Sequence, residues 1–210
     1  MIDLKNRTHK QIEAKNHGLI KARAYHTAQY IEKHDVMAVV CGKLRKGPNA
    51  PMTNEILLYH FNQNVFQIID TDPSPFVKLP AVHVIHSTVI SDTQMAFYGG
   101  CLTTNYNDDS DYDQHLIILN FKKKDRKGYE LMANVTMIDL EERRSSCYTT
   151  MAYHKELSSF FLFGSNQPQR KNCMTIYTMN LSHKDPVTHL DLSTHLQNTE
   201  SPLLDVEILF

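Results

Sequence analysis

The 210-residue chain carries 22 Lys plus Arg against 23 Asp plus Glu, a formal net charge of −1. That balance lacks the diffuse positive field on which generic duplex binding depends, so no nucleic-acid partner is expected. Apolar residues make up 41% of the chain, ten Tyr and nine Phe among them, which is enough to fill a folded core and excludes an intrinsically disordered chain.

No apolar run approaches the roughly 20 residues of a membrane-spanning helix, and Met1 to Arg7 has no apolar stretch of the kind that marks a signal peptide. No membrane partner is expected. Four cysteines at 41, 101, 147 and 173 form no C-x-x-C pair. Three adjoin apolar runs, where a free thiol packs as a small hydrophobe. They point to a reducing compartment, with the cytoplasm as the expected location.

In chain order, Lys10 to Ala24 is interrupted by Gly18 and holds no sustained 3.6-residue stripe, so no helix is expected there. The following elements arrive as pairs of short apolar runs. Met37-Ala38-Val39-Val40 leads into Cys41-Gly42 and is followed by Ile56-Leu57-Leu58-Tyr59. Met95-Ala96-Phe97-Tyr98 leads into Gly99-Gly100 and is followed by Leu116-Ile117-Ile118-Leu119. Phe160-Phe161-Leu162-Phe163 leads into Gly164 and is followed by Met174-Thr175-Ile176-Tyr177. Each run is too short for a helix and long enough for a strand.

The glycines ending the first runs recur about every 60 residues, and a repeat of this kind decides architecture ahead of any single motif. Unbroken apolar character means that both faces of these strands are covered, and paired runs joined by polar loops favour antiparallel neighbours over strand-helix-strand crossovers. Small antiparallel sheets stacked face to face around an axis meet both conditions. The predicted class is all-β, a β-propeller or partial propeller of about three to four antiparallel blades.

These units resemble the kelch repeat, in which a basic or hydroxyl-bearing lead-in precedes an apolar strand ending in Gly-Gly, a loop, a second apolar strand and a hairpin to an outer strand. Arg23-Ala24-Tyr25-His26-Thr27 is similar to the lead-in, Val39-Val40-Cys41-Gly42 to the glycine strand, and Ile56 to Phe61 to the strand after it. Asn62-Gln63-Asn64 then stands as the hairpin before an outer strand Val65 to Ile69. His86-Ser87-Thr88 and Arg143-Arg144-Ser145-Ser146 supply the lead-ins of the other two units. Gly42-Lys43 and Gly164-Ser165 depart from the glycine doublet, and the outer-strand tryptophan of kelch units is absent, its layer left to Phe66, Tyr129 and Val187 or Leu190. On this resemblance the chain is a single kelch-like domain, 1–210, of units 23–80, 82–140 and 143–200. Residues 1–22 and 201–210 are then partial blades that either pair with each other or belong to a larger ring.

Candidate chemistry is sparse. His83 and His86, three apart on extended backbone, point to opposite faces, and Pro186 breaks any single strand through His183, His189 and His195. The oxygen-rich run Asn105 to Asp113 lacks the glycine and the terminal glutamate of a calcium loop. There is no G-x-S-x-G elbow, no phosphate-binding glycine loop and no H-E-x-x-H pair. No catalytic residue, metal or cofactor is expected.

The loops after the glycines carry more information, because equivalent loops of stacked blades emerge on one side. Loop 43–54 offers Lys43, Arg45 and Lys46, and loop 101–113 offers Asp108, Asp109, Asp111 and Asp113. Loop 165–172 offers Gln167, Gln169, Arg170 and Lys171. Opposed charged patches suit a protein surface better than a nonpolar small molecule. The basic run Lys122 to Lys127 reads as a solvated hairpin tip. The kelch resemblance implies a non-catalytic scaffold or adaptor that binds protein partners. The alternatives are a structural subunit or fragment of a larger, self-associating propeller assembly and, behind it, a metal-dependent propeller enzyme.

Overall fold

The computed structural model describes residues 2–3, 5–9, 11–44, 50–69, 79–82, 85–103, 113, 115–124, 130–139, 150–163, 174–178 and 188–191. Strands β1 (Ile2–Asp3) and β2 (Thr8–His9) form a short hairpin. Three four-stranded antiparallel sheets follow, each a meander in chain order. The first holds β3 (Thr27–Ile31), β4 (Val36–Val40), β5 (Ile56–His60) and β6 (Val65–Ile69). The second holds β7 (His86–Ser91), β8 (Gln94–Tyr98), β9 (His115–Lys123) and β10 (Leu131–Asp139). The third holds β11 (Thr150–His154), β12 (Ser159–Phe163), β13 (Met174–Thr178) and β14 (Thr188–Asp191). Helix among the described residues is limited to 3-10 turns at His17–Leu19 and Glu32–His34. None is long and apolar enough to cross a membrane.

The apolar pairs of the sequence are the two central strands of each sheet. In the second sheet their alternate residues serve two cores. Met95, Phe97, Ile117, Leu119 and Phe121 pack toward the first sheet, against Val36, Ala38, Val40, Ile56 and Leu58. Ala96, Tyr98, Leu116 and Ile118 face the other way, toward Met151, Phe160 and Leu162 of the third sheet. Continuous apolar runs are thus the signature of a sheet buried on both sides. The chain is all-β, with its sheets stacked face to face as blades of a partial β-propeller.

One strand in each sheet has no apolar run to announce it. The stretches read as lead-ins at Arg23 to Thr27 and His86 to Thr88 open into β3 and β7, and the lead-in at Arg143 to Ser146 lies outside the described residues. β3 packs against β7, and β7 against β11, so the first strands of successive sheets meet along one line. Their contacts are polar. Thr27 and Ser87 hydroxyls hydrogen-bond across the sheets, and Gln29 Nε2 donates to the Ser87 carbonyl at 2.8 Å. Short hydroxyl and amide side chains let the backbones converge there and satisfy each other's hydrogen-bonding groups.

The cysteines part from expectation at one position. Cys41 is a buried free thiol, with burial pushing its pKa up to about 12. Cys101, equally buried, is disulfide-bonded and not the lone packed thiol its apolar neighbours implied. The strand ends at Gly99-Gly100, both at positive φ, immediately before Cys101, whose partner lies outside the described residues. One of the grounds for a reducing compartment is thereby removed.

Candidate interaction surface

At the glycine end of the first sheet, Arg23 organises the loop. Its side chain is 4% exposed, and Nη2 lies 2.8 Å from Glu55 Oε2. Nη1 donates to the carbonyls of Cys41 and Glu55, both at 3.3 Å. Nε is buried and has no hydrogen-bond partner among the described residues. Gly42 sits at φ +101°, and a Cβ there would stand 2.8 Å from the Ala24 carbonyl oxygen. Glycine is required at this site both for the conformation and for the close approach of the chain.

The structure places two of the residues singled out on the loop face. Lys43 is 6% exposed. Its backbone pairs with Ala24 through reciprocal 2.8 Å hydrogen bonds, and its ammonium lies 5.9 Å from the centre of the Tyr25 ring. Asp113 is also 6% exposed. Its Oδ1 accepts from the His115 backbone N–H at 2.9 Å, with His115 Nδ1 at 3.3 Å. Burial raises the Asp113 pKa from the usual carboxylate value, partly offset by these bonds from His115. Both side chains are built into the bases of their loops. Arg45, Lys46, Asp108, Asp109, Asp111, Gln167, Gln169, Arg170 and Lys171 lie outside the described residues. At the β9–β10 hairpin, Lys124 N–H donates to the Glu130 carbonyl at 2.8 Å, and the two side chains pair at 3.3 Å near solvent.

A surface that the sequence reading missed lies on the outer face of the first sheet, away from the second. The strand registers align two rows across all four strands. One is Tyr30, Met37, Tyr59 and Phe66, and the other is Ala28, Val39, Leu57 and Ile68. Every one of these eight residues is apolar or aromatic. The middle of the face is buried, with Leu57 at 2% and Tyr59 at 7%, whereas its rim is open, with Tyr30 at 49% and Ile68 at 53%. Phe61, 43% exposed, extends the patch from the β5–β6 turn. Its ring meets Tyr30 edge-on at 5.8 Å and Tyr59 at 5.1 Å. The signal available in the sequence was the apolar character of both alternating sets in β5 and β6. It does not tell which set another sheet covers.

The edge of this sheet is protected. Asn16 Nδ2 donates to the Phe66 carbonyl at 2.7 Å, and its Oδ1 accepts from the Phe66 N–H at 2.8 Å. An amide side chain thus takes the place of a neighbouring strand on β6 and blocks further pairing. Among the described residues, no three His, Cys, Asp or Glu side chains converge as a metal site would need.

No protein-family profile matches the chain, so the kelch resemblance has no family match behind it, and no curated protein matches it either. Solved structures do show likeness. YjhT is 13% identical with a TM-score of 0.47, the match covering 90% of this chain and 51% of YjhT. A fungal alcohol oxidase of the AA5 family, solved in complex with copper, is 10% identical with a TM-score of 0.42, over 80% of this chain and 44% of the oxidase. The chain therefore spans about half the length of these structures.

Proposed function

We propose that the chain is a non-catalytic protein-interaction module, a kelch-like scaffold or adaptor whose partner is another protein. The observation that carries this reading is the outer face of the first sheet. It joins exposed Tyr30, Phe61 and Ile68 to a buried apolar centre. Large apolar patches exposed to water mark protein contacts, and aromatic anchors with little rotamer entropy to lose are the residues that dominate such contacts. The charged loop residues of the glycine end form a second contact region, which gives orientation and speeds encounter.

A second reading, a structural subunit of a larger propeller assembly, draws on the same face. In each of the two sheet interfaces seen here, a blade presents an apolar face to the next blade. The outer face of the first sheet has that composition and no such neighbour among the described sheets. The occupant in that case is another blade.

The test compares two sets of variants against each identified partner. Tyr30→Ser with Ile68→Ser should abolish capture if the sheet face anchors the partner. Asp108→Asn, Asp109→Asn and Asp111→Asn together should slow association and weaken it more at low salt than at high salt. Unchanged affinity in both sets for every partner removes the interaction reading. Loss of self-association alone assigns the face to the assembly.

A further inference from the structure

At the end of the first two sheets opposite the glycine loops, the β3–β4 and β5–β6 turns and the end of β9 enclose a cavity of about 220 Å³. Lys33, His34, Asp35, His60, Asn62 and Lys123 line it. Its hydrogen bonds leave the charges unequally engaged. The Asp35 carboxylate is occupied on both oxygens, Oδ1 accepting from the Tyr30 hydroxyl at 2.9 Å and Oδ2 from Asn62 Nδ2 at 2.6 Å. His34 Nε2 lies 3.1 Å from the Phe121 carbonyl oxygen. A carbonyl only accepts, so that nitrogen carries the hydrogen. Gln67 Nε2 donates to the Leu131 carbonyl at 3.4 Å, which turns its Oε1 toward His60 Nε2 at 2.9 Å. This nitrogen too is a donor. Both imidazoles are thus anchored to the framework through Nε2.

The ammonium groups of Lys33 and Lys123 are different. Neither has an ion-pair partner among the described residues. Two lysines with no ion-pair partner among the described residues thus line a cavity whose carboxylate is already hydrogen-bonded twice. A lysine ammonium acts as a point charge and is a common phosphate binder, and a phosphate monoester places two negative charges on one small group. Among the described residues no guanidinium lines this cavity. Its volume falls below the roughly 300 to 1,000 Å³ of pockets that enclose drug-sized ligands, which limits the occupant to a small group. We propose that this cavity binds a phosphate monoester dianion, with Lys33 and Lys123 supplying the neutralising charge. The site does not rest on the interaction reading above: its lysines lie neither in the rows of the outer sheet face nor on the glycine loops, and it meets that face through the Tyr30–Asp35 hydrogen bond.

The probe is glycerol phosphate, titrated calorimetrically into the full chain at fixed ionic strength, with succinate as the carboxylate dianion of equal charge. Saturable binding is expected, tighter than for succinate. Lys33→Ala with Lys123→Ala should weaken it by about tenfold or more, while Lys155→Ala on the exposed β11–β12 turn leaves it unchanged. Both lysines of the double variant are solvent-exposed, so its unfolding midpoint should match the parent. Lys33→Gln with Lys123→Gln repeats the charge loss with more of the stems retained. Co-sedimentation with phosphatidylcholine vesicles containing phosphatidic acid, lost in the same double variants, assigns the ester to a lipid headgroup. Binding of glycerol phosphate without co-sedimentation assigns it to a soluble metabolite. Absence of both, equal binding by the double variants, or succinate binding as tight as glycerol phosphate overturns the proposal.

Discussion

The two faces of the first sheet differ in the direction opposite to what polarity alone suggests. The inner face mixes Thr27, Gln29, His60 and Gln67 with Ile31, Val36, Ala38, Val40, Ile56 and Leu58, and it is covered by the second sheet. The outer face is apolar in every position, yet its rim is open to water. Polar groups are tolerated inside because each is answered. Thr27 and Gln29 bond Ser87 across the sheets, and His60 and Gln67 chain to the Leu131 carbonyl. The outer face asks for no such partners. It needs only another apolar surface, and on the proposed reading it is a contact region with little chemical selectivity beyond shape.

The largest expected effect probes the inner face. Leu58 is fully buried between the sheets, so Leu58→Ala should cost about 2 to 5 kcal/mol in urea unfolding. A loss under about 1 kcal/mol would mean that the two sheets are not packed as described. Next is the polar contact at the line where first strands meet. Gln29→Leu removes the donor to the Ser87 carbonyl and should cost about 1 to 3 kcal/mol, a stable variant arguing that water replaces the amide. On the outer face Ile68→Ser, at a residue more than half exposed, should change stability by less than about 1 kcal/mol while removing partner capture. Equal destabilisation of the inner and outer variants would erase the contrast.

The smallest effect lies away from both faces, at the base of the second glycine loop. Burial raises the Asp113 pKa in the native state above its unfolded value, so the fold favours the protonated carboxyl. That contribution is complete below the ordinary Asp range and is lost as pH rises through the raised native value. Unfolding midpoints should therefore gain in Asp113→Asn relative to the parent as pH moves from acidic toward neutral. Parallel curves for the two proteins would show that the carboxyl is not strained by its burial.

The strands that could be read from the sequence are those with no choice of environment. Val36 to Val40, Ile56 to Tyr59, Met95 to Tyr98 and the middle of β9 are apolar and largely buried in both alternating sets, and the outer strand Val65 to Ile69 followed a recognisable turn at Asn62 to Asn64. The first strand of each sheet escaped notice. Thr27-Ala28-Gln29-Tyr30-Ile31 and His86 to Ser91 carry hydroxyls and amides that serve the inter-sheet contacts, and such residues look like loop when read singly. Charge misleads in a similar way: nothing in the letters tells that Lys43 and Asp113 are 6% exposed, because their burial follows from how the loops fold back on Ala24 and Gly100. The disulfide at Cys101 could not be read either, since cysteine spacing alone does not tell which thiols meet. The exposed rim of Tyr30, Phe61 and Ile68 was hidden for a related reason, since an apolar run does not say which of its two faces finds a neighbour.

The central claim is that the outer face of the first sheet touches protein, and site-specific photo-cross-linking tests it most directly. A benzophenone side chain placed at Ile68 should give a discrete adduct in cells, and Tyr30→Ser with Phe61→Ser should abolish it. The same group at Lys122, exposed on β9, should give none. The adduct's mass distinguishes another protein from a second copy of this chain. No adduct from Ile68, or the same adduct from Lys122, contradicts the account.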